Sequence, residues 1–340
     1  MSNAPPGRER KNPDLLQQDG VLGGIEELPK RVNRYSEAKR KALDVAEYMA
    51  RATSYQDMAR KVSTCGEYLA FRHYYTVDQV RLHGAVLCRK HLLCPLCAIR
   101  RGAKALKAYL DRWEVIRSEK TALRPFLVTL TVKDGPDLAE RFKHLHKAQH
   151  ELWKRRLRKR GSALDGVAGA VWSYEVKRGS GSGEWHPHLH MIALAETAPD
   201  QEKLAREWKS ITGDSHVVDV RPISQEDPAS GFIEVFKYAV KFSDQPEADT
   251  VHAWEVLRGR RLLGSSGVFR GVVVPDELDE ALELPYVTLF YRFLRSRAGY
   301  TLDRSPALLE SKGAPLAGAG GMGAQTPHAS VSQPLAPSTG

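Results

Sequence analysis

Three histidines stand in His186-Pro187-His188-Leu189-His190, just before the apolar run Met191-Ile192-Ala193-Leu194. Side chains alternate across a strand, so His188 and His190 share one face and Leu189 turns to the other. Two imidazoles on one face of a rigid strand form a natural pair of metal ligands; the competing reading is a solvated polar sheet face. His186 has the same parity, but Pro187 and its place at the strand entrance weaken it as a ligand. Glu175, in Trp172-Ser173-Tyr174-Glu175-Val176, precedes the run Arg178-Gly179-Ser180-Gly181-Ser182-Gly183, which reads as a hairpin tip. An antiparallel return sets Glu175 beside His188 and His190, so the third ligand is Glu175 or His186. One carboxylate with two or three imidazoles suits Mg²⁺ or Mn²⁺ holding a phosphate oxygen as a Lewis acid.

A nucleophile for such a phosphate is Tyr238, in Glu234-Val235-Phe236-Lys237-Tyr238-Ala239-Val240-Lys241. At helix spacing Glu234 and Tyr238 share a face, and Lys241 joins them. The unperturbed phenol has a pKa of about 10, and a cation such as Lys241 favours the phenolate or the charge growing on the phosphate. Taken alone, Tyr238 reads equally well as a packing residue beside Phe236 and Phe242.

The four cysteines, Cys65, Cys88, Cys94 and Cys97, include the knuckle Cys94-Pro95-Leu96-Cys97. Four thiolates complete a tetrahedral Zn²⁺ with no open position, which marks a structural site. His91 is an alternative to one thiolate. Arg100, Arg101 and Lys104 follow the knuckle, either as phosphate contacts or as a solvated helix start.

These residues sit in a chain of 340 with 42% hydrophobic and 27% charged residues and a net charge of +10. That balance is ordinary for a soluble globular protein and points to a polyanionic partner without naming it. No apolar run approaches the roughly 20 residues that span a bilayer, and the polar N-terminus lacks the apolar stretch of a secretory signal. The expectation is a cytoplasmic protein with no membrane partner.

Periodicity predicts a helix over 35–61, a helix over 103–116 and a strand over 125–132. An amphipathic helix follows over 137–160, then strands over 167–177 and 188–195, a helix over 201–212, a strand over 216–222 and a helix over 231–242. The helix over 137–160 ends in Arg155, Arg156, Arg158, Lys159 and Arg160, more cations than a helix terminus needs, which favours phosphate contact. Trp185 and Trp172 flank the histidines; either stacks on an unpaired base or packs in the core, and packing suits Trp172 better. The fold class is α+β. The expected organisation is a flexible arm over 1–30, a helical zinc-binding module carrying the four cysteines over 31–123, a catalytic domain over 124–245, a basic C-terminal extension of that domain over 246–303 and a disordered tail over 304–340.

The blocks Phe126 to Val132, His186 to His190 and Glu234 to Lys241 occur in order, and together they resemble the HUH endonuclease superfamily, in particular its single-tyrosine plasmid rolling-circle replication initiators. The resemblance covers roughly residues 60 to 275, and Cys94-Pro95-Leu96-Cys97 followed by Arg100 and Arg101 is similar to the N-terminal part of the same group. It implies a central antiparallel sheet with the tyrosine on a helix over its metal-bearing face. It implies that His188 and His190 bind the divalent cation, that Tyr238 cleaves the origin strand, and that Glu234 activates water for the final hydrolysis. The implied partners are single-stranded or hairpin origin DNA, a host helicase, polymerase and single-strand-binding protein; a homodimer is among the assemblies allowed. A transposase or relaxase of the same superfamily and a non-catalytic zinc-containing DNA-binding regulator are the rival readings.

Overall fold

The computed structural model describes residues 23–158, 161–237, 245–275, 278 and 281–303. The chain begins with α1 (Leu28–Ala50) and α2 (Gln56–Ser63), followed by the hairpin strands β1 (Tyr68–Tyr74) and β2 (Gln79–Ala85). The single helix expected over 35–61 is therefore broken, and a 3₁₀ turn over Thr53–Tyr55 joins its two parts. Next comes α3 (Pro95–Glu119), which starts on the cysteine knuckle itself, eight residues before the expected Ala103. Pro95 explains the early start, because its missing N–H is no loss in a first helical turn.

The central region runs β3 (Arg124–Thr131), α4 (Leu138–Leu157), β4 (Val167–Arg178), β5 (Trp185–Ala195), α5 (Gln201–Thr212), β6 (Val218–Pro222), α6 (Pro228–Phe236), α7 (Glu247–Leu257) and β7 (Leu263–Gly267). Three of these helices start on aspartate caps: Asp137 accepts from the Glu140 amide, Asp200 from Lys203 and Asp227 from Ser230. The strands form a five-stranded sheet in the order β6-β3-β5-β4-β7, antiparallel at every pairing. The α+β class and the antiparallel sheet flanked by helices are as expected.

Alternation divides this sheet into two faces. Val128, Leu130, Leu189, Met191, Ala193, Tyr174 and Val176 turn toward α4 and α5 and pack on Phe142, Leu145, Leu152, Leu204 and Trp208. Each buried Val, Leu, Met or Phe among them contributes about 1.5–3 kcal/mol. Val171, Ile192 and Leu194 turn to the opposite face, under Tyr109 and Trp113 of α3 and Phe232 and Phe236 of α6. The second face also carries the candidate ligands, because His188, His190 and Glu175 share its parity.

A second sheet has the order β2-β1-β8-β9, built with β8 (Val287–Leu294) and β9 (Gly299–Leu302). The expected C-terminal extension of the catalytic domain thus divides: β7 joins the five-stranded sheet, whereas β8 and β9 return to β1. Pairing across more than 200 residues leaves no local signature, so periodicity could not assign it. The arm and tail expectations fall on residues 1–22 and 304–340, outside the described residues, apart from 23–30, whose last three residues open α1. Among the described residues, no helix is long and apolar enough to cross a membrane.

The turn after α5 is tied to α4 by Asp214, which accepts from Arg141 at 2.6 Å and meets His144 at 3.3 Å. Burial alone would push this carboxyl up, but the bond and charge of Arg141 together with His144 outweigh it and hold the group below the usual carboxylate range. A depressed pKa contributes stability above the unfolded value, and that contribution disappears as the pH falls through the folded one. Asp214→Asn should cost about 1–3 kcal/mol at neutral pH. Denaturant titrations should show the difference from wild type narrowing once the pH falls below about 4.

Candidate metal centres and the face between them

The Gly179–Glu184 turn closes β4 onto β5, with the Gly179 amide donating to Glu184 and the Gly183 amide to Gly179. Gly183 sits at φ +67°, the left-handed region where a side chain would be strained. The resulting register sets Glu175 opposite His188 and Ser173 opposite His190, while β3 brings Thr129 opposite His190 on the other side. Glu175 is fully buried, and His188 and His190 are 5% and 8% exposed.

Their ligand atoms converge. Nε2 of His188 lies 3.4 Å from one Glu175 oxygen, and Nε2 of His190 lies 3.3 Å from the other. All three residues offer a ligand atom within 4.8 Å of the others. Ligands at right angles on bonds of about 2.1 Å stand about 3 Å apart, so this carboxylate and two imidazoles fit a small divalent cation. A buried carboxylate needs such a partner, because an isolated charge is costly to desolvate. The opposite nitrogens are oriented from outside: Thr129 Oγ1 lies 3.1 Å from His190 Nδ1, and the His186 carbonyl 3.5 Å from His188 Nδ1.

His186 is outside this group and engaged elsewhere, its Nδ1 lying 2.5 Å from Asp134. Asp134 also accepts from Ser182 at 2.5 Å. Burial would raise the Asp134 carboxyl, yet the contacts with Ser182 and His186 hold it below the usual range. Of the two candidate third ligands, the geometry brings Glu175 to the pair. Thr129 and Asp134 were missed from sequence. Thr129 had a signal, since it shares the polar parity of the strand over 125–132; Asp134, beside Gly135-Pro136, carries none.

α6 starts at Pro228, three residues before the expected Gly231, and packs on the metal-bearing face through Phe232 and Phe236. The Phe236 ring lies 5.1 Å from that of Tyr109. Glu234, half-buried on this helix, pairs with Lys237 and lies outside the group of ligands. Tyr238 and Lys241 lie outside the described residues.

At the basic end of α4, two of the arginines also make contacts within the protein. Arg156 donates to the Val167 carbonyl and lies over the Trp153 ring at 4.9 Å. Arg155 donates to Ser210 at 2.8 Å and pairs with Glu151 at 3.6 Å. Val167 and Glu175 are eight residues apart on β4, so this helix end is about 25 Å along the strand from the histidines. Arg158 is exposed; Lys159 and Arg160 lie outside the described residues. Trp185 and Trp172 pack: Trp185 is buried under Arg178 at 3.9 Å, and Trp172 meets Trp153 at 5.5 Å.

The four cysteines form the second centre. Sγ of Cys65 lies 3.6 Å from Cys97 and 3.5 Å from Cys94, and Cys88 lies 3.6 Å from Cys97. A tetrahedron with metal–sulfur bonds of about 2.3 Å has edges of about 3.8 Å, so these thiols fit one ion with no position left open. The loop is held by the Cys94 amide bonded to the Lys90 carbonyl at 2.7 Å and the Cys88 amide bonded to Cys65 Sγ at 3.3 Å. Buried Lys39 donates to the carbonyls of Ser63 and Cys65, each at 2.6 Å. His91 is outside the group.

Fold and site together define an α+β protein with a closed four-thiol centre and a second, carboxylate–imidazole centre on an antiparallel sheet beneath a helix. The sequence profile of the replication protein family matches residues 79–287, more than half of the chain, and the chain belongs to that family. It is similar to Protein rep of Streptococcus pneumoniae serotype 2 (strain D39 / NCTC 7466), 25% identical over 235 residues that cover 64% of this chain and 71% of that one. It is also similar to Protein rep of Bacillus sp, 23% identical over 257 residues covering 65% and 81% of the two chains. A third relative, Protein rep of Bacillus amyloliquefaciens, is 23% identical over 259 residues covering 65% and 74%. No solved structure gives a significant match.

Removing one thiolate should open the closed centre. Cys94→Ser should lower the bound metal by about one ion per chain, read by elemental analysis, and reduce stability by several kcal/mol in denaturant titration.

Proposed function

We propose that this chain initiates plasmid replication by nicking one strand of origin DNA, with His188, His190 and Glu175 holding a divalent cation and Tyr238 as nucleophile. The observation that carries the reading is the convergence of three buried ligands on the sheet face covered by α6, the helix that leads directly into Tyr238. The family membership and the resemblance to single-tyrosine HUH initiators supply the rest.

In this reading His188, His190 and Glu175 would hold the cation, Mg²⁺ or Mn²⁺, which would supply Lewis-acid chemistry at the scissile phosphate. The protein supplies the remaining parts. Thr129 and the His186 carbonyl keep the imidazoles turned toward the phosphate, and the buried β4–β5 hairpin gives them a rigid base. The Tyr238 phenolic oxygen attacks phosphorus, the bond to the 3′ oxygen breaks, and that oxygen takes up a proton to leave as a 3′-hydroxyl. The product is a 5′-phosphotyrosine that keeps the bond energy, so joining the ends at termination requires no nucleotide hydrolysis. Lys241 offsets charge at the nucleophile. Glu234 takes the proton of an attacking water in the final hydrolysis, releasing a protein that would otherwise remain attached. Arg158, with Lys159 and Arg160, contacts phosphates of the flanking DNA.

The closed geometry suits Zn²⁺ in the cysteine site, where it serves structure. Host helicase, polymerase and single-strand-binding protein are the partners that extend and protect the displaced strand, and the action is cytoplasmic.

Incubation of the purified chain with single-stranded origin DNA and Mn²⁺ should give an adduct that survives detergent. Tyr238→Phe should abolish it, as should EDTA; an undiminished adduct in the variant would refute the assignment. Glu175→Ala should reduce nicking by about a hundredfold or more. Glu234→Gln should leave nicking intact and slow release of the linked DNA, and equal loss of both steps would remove its separate role.

A further inference from the structure

The four-stranded sheet turns one face to the core and leaves the other without a described helix against it. Leu69, Phe71, Val80, Leu82, Leu289 and Tyr291 share the parity that packs on the α1 side. The opposite parity places Tyr68, Ala70 and Arg72 of β1 beside Arg81 of β2 and Thr288, Phe290 and Arg292 of β8.

The rings and charges on this face are organised. Tyr68 and Phe290 stack with centroids 5.3 Å apart and planes 18° apart, and both are half-buried. The Arg72 guanidinium lies 4.3 Å over the ring of Tyr286, which is 37% exposed. Gly84 opposite Ala70 leaves a low floor beside the ring pair. The four strands carry three arginines (Arg72, Arg81 and Arg292), two histidines and no carboxylate. Asp303, just past β9, touches Arg292 at 3.5 Å, yet the Arg292 side chain stays 60% exposed. Arg72 Nε is buried and meets no acceptor among the described residues.

This face is closed at its Tyr74 end by Tyr286 and half-exposed around the ring pair, and there its parallel rings and interspersed arginines match unpaired bases joined by phosphates. Every base offers a π-face to a ring, and each arginine offers either a phosphate contact or a planar stacking surface. A duplex hides its base faces in its own stack, so the ring pair selects a single strand. We propose that this face binds single-stranded DNA, with bases stacking on Tyr68 and Phe290 and phosphates meeting Arg72, Arg81 and Arg292. The choice of DNA as the strand rests on the nicking reading; the stacking surface itself does not. The face extends the DNA footprint beyond the scissile phosphate.

The experiment uses the full chain and a fluorescein-labelled oligothymidylate, with binding read by anisotropy without added divalent cation. Replacing both rings (Tyr68→Leu with Phe290→Leu) keeps apolar bulk and removes the π-faces. Affinity should fall about ten- to a hundredfold while the melting temperature is unchanged. Tyr68→Phe should bind as wild type, and Arg72→Gln should reduce the salt dependence of binding by about one counterion. Unchanged affinity in the double leucine variant overturns the proposal, as does a duplex competitor of equal length that displaces the oligothymidylate as well as a single strand does. Covalent capture of origin DNA with Mn²⁺ separates the two readings. Wild-type adducts with no affinity loss in the variant overturn the face alone; affinity loss without wild-type adducts supports the face and removes the nicking reading.

Discussion

Glu175 opposite His188 is the pairing on which the carboxylate–imidazole cluster of this molecule depends. It exists in one register of the β4–β5 hairpin, because side chains alternate with period two and a slip of one residue exchanges the faces of a strand. A slipped β5 would push both imidazoles into the layer of Phe142 and Trp208 and expose Leu189 and Met191 where the ligands now stand. Burial of Leu189, Met191, Tyr174 and Val176 on one face therefore holds the ligands on the other. The hairpin mouth is pinned as well, by the paired bonds between Gly135 and Trp185 at 2.9 and 3.1 Å and by Asp134, which reaches His186 and Ser182.

The two centres differ for physical reasons that follow from their ligands. Four thiols within 4.8 Å of one another, three of their pairs at 3.5–3.6 Å, fit a closed centre that would join three segments of the chain. Cys65 ends the helical region before β1, Cys88 follows β2, and Cys94 and Cys97 open α3, so one ion would fasten both ends of a hairpin to a long helix. Three ligands on the sheet, in contrast, would leave coordination positions of a bound cation open. α3 links the regions mechanically: its first turn carries two cysteines, and its later turns place Tyr109 and Trp113 over the histidine-bearing face.

Much of the central region was legible because its signals are local. Periodicity marked β3, β4 and β5 and the helices between them, and the Gly-Ser run marked the hairpin. The His-Leu-His spacing and CxxC declared ligands because few other uses need those residue types so close together. What failed was also physical. At the basic end of α4, the bond of Arg156 to the Val167 carbonyl and its place over the Trp153 ring were not legible, because a strand packed beside the helix decides them. The helix predicted over 35–61 breaks before α2, and the one predicted over 103–116 already begins at Pro95.

Residue types, parity and spacing by themselves brought out the four cysteines, the His188–His190 pair, the strand–turn–strand that carries it, and the α+β class, because each is a signal within a short window. Tertiary structure alone decided that Glu175 and not His186 completes the cluster, that α6 covers the ligand-bearing face, and that β8 and β9 join β1 from more than 200 residues away. Those outcomes depend on which distant surfaces bury each other, and burial is a property of pairs of segments that neither segment records alone.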